Sequence, residues 1–156
     1  ILMTKPYSKG DYMEDLETGG KVEKIDLLYT TLKTYDNRVI IVPNGKLANA
    51  TVINYTKEPT RRVDCKFGIS YNDDMQKAME ILRIVAESDP RIFREPEPVI
   101  GVAGQEDSCV SLDLRVWCNT EDYWDIKYYL EEQVKLAFDE AGVTIPFPQM
   151  DVHVRK

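Results

Sequence analysis

The sequence predicts an all-β domain, then an α+β domain, then a final strand without a partner. Three observations carry this. Short β-branched runs punctuated by Gly, Pro and Asn fill residues 10–58. A strict period of two begins at Val63 and gives way to two helical stripes. A last alternating run, residues 150–154, follows Pro146-Phe147-Pro148. Charge changes where the pattern does: Lys and Arg balance Asp and Glu over residues 1–60, so the whole net charge of −7 falls on residues 61–156.

Residues 1–9 read as a frayed lead-in, an apolar tip followed by Pro6. A short strand is expected over residues 11–13, with Gly19-Gly20 as a break. A longer strand then starts at Lys21 and points Val22, Ile25 and Leu27 inward. Its alternation falters at Lys24-Ile25, where a bulge fits. Residues 29–47, YTTLKTYDNRVIIVPNGKL, organise this half as a hairpin. Asp36-Asn37 tolerates the positive φ of a tight turn. Thr30, Thr31, Val39, Ile40, Ile41 and Val42 suit a half-buried pleated surface. Pro43-Asn44-Gly45 stops the second strand as a turn, because Pro cannot donate to a ladder. Residues 51–55 supply a fifth strand, and five such strands predict a small β-barrel. Lys57-Glu58-Pro59-Thr60 is the domain boundary.

In residues 61–145, Val63, Cys65, Phe67, Ile69 and Tyr71 form one face of a strand. Asn72-Asp73-Asp74 offers an N-cap. Met75, Ala78, Met79, Leu82, Val85 and Ala86 then make a helical stripe that ends near Ser88-Asp89-Pro90. A short strand is expected over residues 99–102. Residues 109–118 form another, with Val110, Leu112, Leu114 and Val116 inward and Ser111, Asp113, Arg115 and Trp117 outward. Thr120 is the expected cap of a second helix, whose stripe is Tyr123, Ile126, Leu130, Val134, Ala137, Phe138 and Ala141. Gly142 is its C′ residue, and Val143-Thr144-Ile145 returns as a strand. The order β-α-β-β-α-β is the split βαβ, ferredoxin-like arrangement. Residues 146–156 lie beyond it. Met150, Val152 and Val154 alternate with Asp151, His153 and Arg155, and a lone strand needs another chain to be stable in water.

The totals exclude several classes. A length of 156 residues with 43% hydrophobic content supports a packed core. The first residue is Ile, so the natural start is expected upstream, or removed. Lys5 and Lys9 precede no leader-like apolar run. The longest clean apolar run, Val39 to Val42, is far below the roughly 18–20 residues that cross a bilayer, so the chain reads as soluble. The acidic second half argues against a phosphate-binding surface, hence no nucleic acid. Cys65, Cys109 and Cys118 are an odd set without CxxC spacing, read as reduced core thiols of a cytosolic compartment. His153, the one histidine, has no ligand spacing and reads as an exposed strand residue, although a ring of copies would make it a pH-sensitive collar. Arg61-Arg62 reads as a tie between linker and an acidic neighbour. Asp73-Asp74 and Glu131-Glu132 read as a helix cap and a solvated face rather than acid–base pairs. No catalytic constellation remains, and no cofactor or metal is expected.

Six segments, in order, resemble the small-conductance mechanosensitive channel (MscS) family: KPYSKGDY, TTLKTYDNRVIIVPNGKL, INYTKEPTRRVD, FGISYNDD, LRVWCNTEDYW and VKLAFDEAGVTIPFPQMDVHV. Residues 14–18 are more acidic than the family pattern. The resemblance implies a homoheptamer, with an Sm-like β-barrel domain (10–58) above a ferredoxin-like domain (61–145). It makes residues 1–9 the end of a linker from upstream pore helices. It makes Met150, Asp151, Val152, His153 and Val154 one strand of a seven-stranded intersubunit barrel. Pro43, Asn44 and Gly45 become a loop that couples the barrel to the gate. The implied parent is an inner-membrane channel with this portion as a cytoplasmic cage. It opens under tension and releases ions and small osmolytes in hypo-osmotic shock, while side openings sieve solutes. Seven acidic copies also imply a modest cation preference, blunted by screening. Two rivals stand beside it: an Sm-like RNA-binding ring, which needs a basic, aromatic rim, and a soluble ligand-sensing ferredoxin-like module.

Overall fold

A computed structural model describes residues 6–156 as two compact units that meet in sequence at Pro59 and Thr60. Residues 1–5 of the expected lead-in lie outside the described residues.

The first unit is an antiparallel sheet of β1 (Tyr12–Glu14), β2 (Gly19–Ile25), β3 (Tyr29–Lys33), β4 (Val39–Pro43) and β5 (Ile53–Asn54), in the order β4-β3-β2-β1-β5. The inward positions of these strands, with Leu47, bury Met13, Val22, Leu32 and Val42 in one small core. The β3–β4 turn is the expected one: Asn37 sits at φ 72° and the Thr34 N–H donates to the Arg38 carbonyl at 2.9 Å.

Several local expectations change here. Gly19-Gly20 lies inside β2 rather than breaking it. A Cβ on Gly20 would stand 3.0 Å from the Lys33 carbonyl oxygen, so the absent side chain lets β2 approach β3. The β2–β3 register shifts between Val22 and Lys24, one residue before the expected bulge. β2 ends at Ile25, so Leu27 falls in the β2–β3 connection and is 93% exposed instead of buried. The fifth strand is only two residues long. Pro43-Asn44-Gly45 is not a free turn: Pro43 ends β4, and α1 (Asn44–Ala48) follows at once. Proline closes the ladder by lacking an N–H, and burial of Leu47 draws the next residues into a helical turn.

The second unit orders β6 (Thr60–Ile69), β8 (Val110–Asn119) and β7 (Val99–Gln105) as an antiparallel sheet with β8 central. Helices α2 (Met75–Ser88) and α3 (Tyr123–Ala141) pack on it. Alternate β6 residues Val63, Cys65, Phe67 and Ile69 meet Ala78, Leu82, Val85 and Ala86 of α2 and Ile126, Leu130, Val134 and Phe138 of α3. Asp74 caps α2, accepting from the N–H groups of Gln76 (2.9 Å) and Lys77 (3.2 Å). Gly142 closes α3 at φ 74°. Lys77 Nζ reaches from α2 to the Ala141 carbonyl at 2.8 Å, supplying a cation to a helix end that has no basic residue of its own.

Here too some details differ. Thr120 opens a single 3-10 turn, and α3 begins three residues later. Ser111 is buried, not outward, because β8 is the middle strand. Residues 143–145 make no ladder. Ser70 N–H donates to the Thr144 carbonyl at 3.0 Å, but the Thr144 N–H is taken by Asp73 Oδ2 at 2.8 Å. Pro146 and Pro148 then offer no donor, so the fourth position of the split βαβ holds a segment without a ladder, tied at Ser70 just past the end of β6.

Candidate functional site

Of the predicted coupling residues, Asn44 is the one that makes specific side-chain bonds to another segment. Its Oδ1 accepts from the buried Thr30 hydroxyl at 2.7 Å. Its Nδ2 donates to the carbonyls of Asp26 (2.8 Å) and Leu27 (3.1 Å), and its backbone N–H donates to Leu28 O at 2.8 Å. One side chain thus fixes the β2–β3 connection, which presents Leu27 and Leu28 to solvent. Exposed Tyr29, Val39 and Ile41 extend the apolar surface on β3 and β4. Gly45 is different: a Cβ there meets nothing within 4 Å. The consecutive apolar residues Leu27-Leu28-Tyr29 were the signal of this surface, and the inward reading of Leu27 hid it.

The predicted assembly strand is attached and then released. Val143 N–H donates to Phe138 O at 2.9 Å, and Gln149 N–H donates to the Ser108 hydroxyl at 3.0 Å. Past Gln149 the chain forms neither helix nor ladder. Met150 is 85% and Val154 84% exposed, and Asp151, Val152 and His153 are exposed as well.

The remaining polar groups are occupied structurally. Arg62 makes a two-pronged ion pair with Asp64 (2.7 and 2.9 Å), while Arg61 lies 3.6 Å over the Tyr123 ring. Asp89 accepts Arg91 Nη2 at 2.7 Å, and that bond holds its carboxyl below the ordinary range. Burial pushes the thiols of Cys65 and Cys118 up, so neither is an activated nucleophile, although Lys127 Nζ lies 3.5 Å from the Cys65 sulfur. Glu131 pairs with Lys127 at 3.3 Å. Among the described residues no three His, Cys, Asp or Glu side chains are grouped to hold a metal. An open groove of about 810 Å³ runs along residues 86–98. No described helix is long and apolar enough to cross a membrane.

Comparison with known proteins matches the two units separately. Residues 1–57 match the family model for the mechanosensitive ion channel β-domain, and residues 63–145 that for the C-terminal region of the mechanosensitive ion channel MscS. A small-conductance mechanosensitive channel from Edwardsiella ictaluri is 36% identical over 154 residues, covering 99% of this chain and 54% of that protein. An MscS family protein from Synechocystis is 37% identical over 154 residues, covering 99% and 52%. The crystal structure of Helicobacter pylori MscS in its closed state superposes with a TM-score of 0.92 at 28% identity, over 99% of this chain and 61% of that one. The chain spans about half the length of the curated relatives it matches. The β domain followed by an α/β domain is the arrangement these matches share with the sequence expectation.

Proposed function

We infer the role of this chain from one premise: it belongs to the MscS family of mechanosensitive ion channels. It is the cytoplasmic cage of a channel whose pore helices lie upstream. Seven copies enclose a vestibule, and the parent protein opens in the inner membrane under tension to release ions and small osmolytes. Side openings between copies sieve larger solutes. Residues 150–154 pair with the same residues of neighbouring copies in a seven-stranded barrel. Asn44, with Pro43 and Gly45, couples the first unit to the gate by holding the apolar Leu27-Leu28 connection in place.

The observation that carries this reading is the tail. An apolar–polar alternation with exposed Met150, Val152 and Val154, fixed at Gln149 and in no ladder beyond it, buries those side chains and pairs its backbone by adding to other strands. The test is the mass in solution of the chain and of a form ending at Gln149, together with tension-gated currents from the full-length protein in membrane patches. A heptamer that needs the tail and a tension-gated current support the reading. A monomer with the tail present, or silent patches from well-expressed protein, overturns it.

A further inference from the structure

In the first unit the Asp11 carboxylate stands where the incoming chain meets the outgoing one. Its Oδ2 accepts from the Ser8 N–H and from Asn54 Nδ2, both at 2.9 Å, and its Oδ1 accepts from the Thr56 hydroxyl at 3.2 Å. The Asn54 amide is used on both sides. Its Nδ2 also donates to the Pro6 carbonyl at 3.2 Å, while its Oδ1 accepts from the N–H groups of Thr56 (3.1 Å) and Lys57 (2.9 Å). Thr56 Oγ1 accepts in turn from the Tyr12 N–H at 2.9 Å, and the Tyr55 N–H donates to the Tyr12 carbonyl at 2.9 Å. The β1–β5 ladder at this place has only two residue pairs, Met13 with Asn54 and Glu14 with Ile53. Side chains therefore supply most of the bonding between the two segments, and a charged acceptor makes those bonds the stronger kind. The Asn54 bond is the largest influence holding the Asp11 carboxyl below its ordinary value.

We propose that Asp11, Asn54 and Thr56 form a latch that makes residues 6–8 and residues 56–57 move as one piece, with Asp11 as a positioning residue for gating. This rests on the channel reading. A pull arriving at residues 6–8 from upstream helices passes across the latch to Thr56 and Lys57. From there the chain runs directly to β6, so the pull does not first have to deform the five-residue core of the first unit.

The test uses the full-length protein with Asp11→Asn and Thr56→Val. The first removes the charge and places a donor opposite the donors of Ser8 and Asn54. The second removes the hydroxyl bonds at nearly constant volume, and it carries the comparison if Asp11→Asn does not fold. Amide exchange at Ser8 and Tyr12 is expected to quicken about tenfold in the variant that frees each of them, with oligomer mass unchanged. In membrane patches both variants should shift the threshold tension or the inactivation rate, and Asp11→Glu should restore part of the shift. Faster exchange with wild-type gating overturns the proposal. Unchanged exchange in both variants also overturns it, because the latch would then bear no load. A wild type that carries no tension-gated current is a separate result: it defeats the channel reading itself, and the gating role falls with it.

Discussion

Thr30 and Asn44 meet across the β3–α1 junction at 2.7 Å, the buried hydroxyl donating to the amide oxygen while the amide nitrogen holds the carbonyls of Asp26 and Leu27. Sequence-distant segments are thereby joined through one planar group. Asn44→Ala leaves Thr30 and two carbonyls without their partner and should cost about 1–3 kcal/mol, read from denaturant unfolding. In the full-length channel the same variant should alter threshold or inactivation. Unchanged gating in a folded Asn44→Ala protein removes Asn44 from the coupling role.

Gly45 gives the complementary case. It lies inside α1 with open space where a Cβ would be, so Gly45→Ala should be neutral or stabilising by up to about 1 kcal/mol. Gly20→Ala should instead destabilise by about 1–3 kcal/mol, since its Cβ would press on the Lys33 carbonyl at 3.0 Å. Thermal melting of both variants checks the pair. Any change of gating in Gly45→Ala then reports coupling and not folding.

Removing residues 150–156, or placing Asp at Met150, Val152 and Val154, should abolish assembly while leaving each protomer folded. These side chains are mostly solvated and absent from both cores. Light scattering for mass, with circular dichroism for fold, separates the two effects. Loss of the fold together with the mass would mean that the tail contributes to its own protomer.

Acid should act through depressed carboxylates. Asp89, bonded to Arg91, and Asp11, bonded to Asn54, both titrate below their ordinary value in the folded chain. Their stabilisation is present above the unfolded Asp value, about 3.9, and is lost as pH falls through the lower folded values. Unfolding free energy should therefore hold steady from neutrality to about pH 4 and drop below it. Asp89→Asn should flatten that drop. An equally steep acid limb in the variant would show that Asp89 is not a source of it.

The second unit was the more legible half, because its longest strands and its helices write long periods. Val63 to Ile69 alternates over a ten-residue strand, and Ile126, Leu130, Val134 and Phe138 repeat at helical spacing. The first unit has strands of two to seven residues, too short for periodicity to outvote local exceptions. Leu27 read as core because it continues the alternation of Ile25, and nothing in composition says that β2 stops at Ile25. Asn44 was identifiable as important, but not as a clamp, since its partners Asp26, Leu27 and Thr30 come from an earlier part of the chain. The segment at Thr144 was read as a strand from its β-branched residues; the competing Asp73 carboxylate lies 71 residues away in sequence.

The separation of the tail from both cores has a consequence for disassembly. Met150, Val152 and Val154 belong to neither core, so the tail lies outside the packing that holds each protomer together. If neighbouring copies pair through it, as proposed, subunits can separate without unfolding, and assembly then follows chain concentration in a way that protomer stability does not.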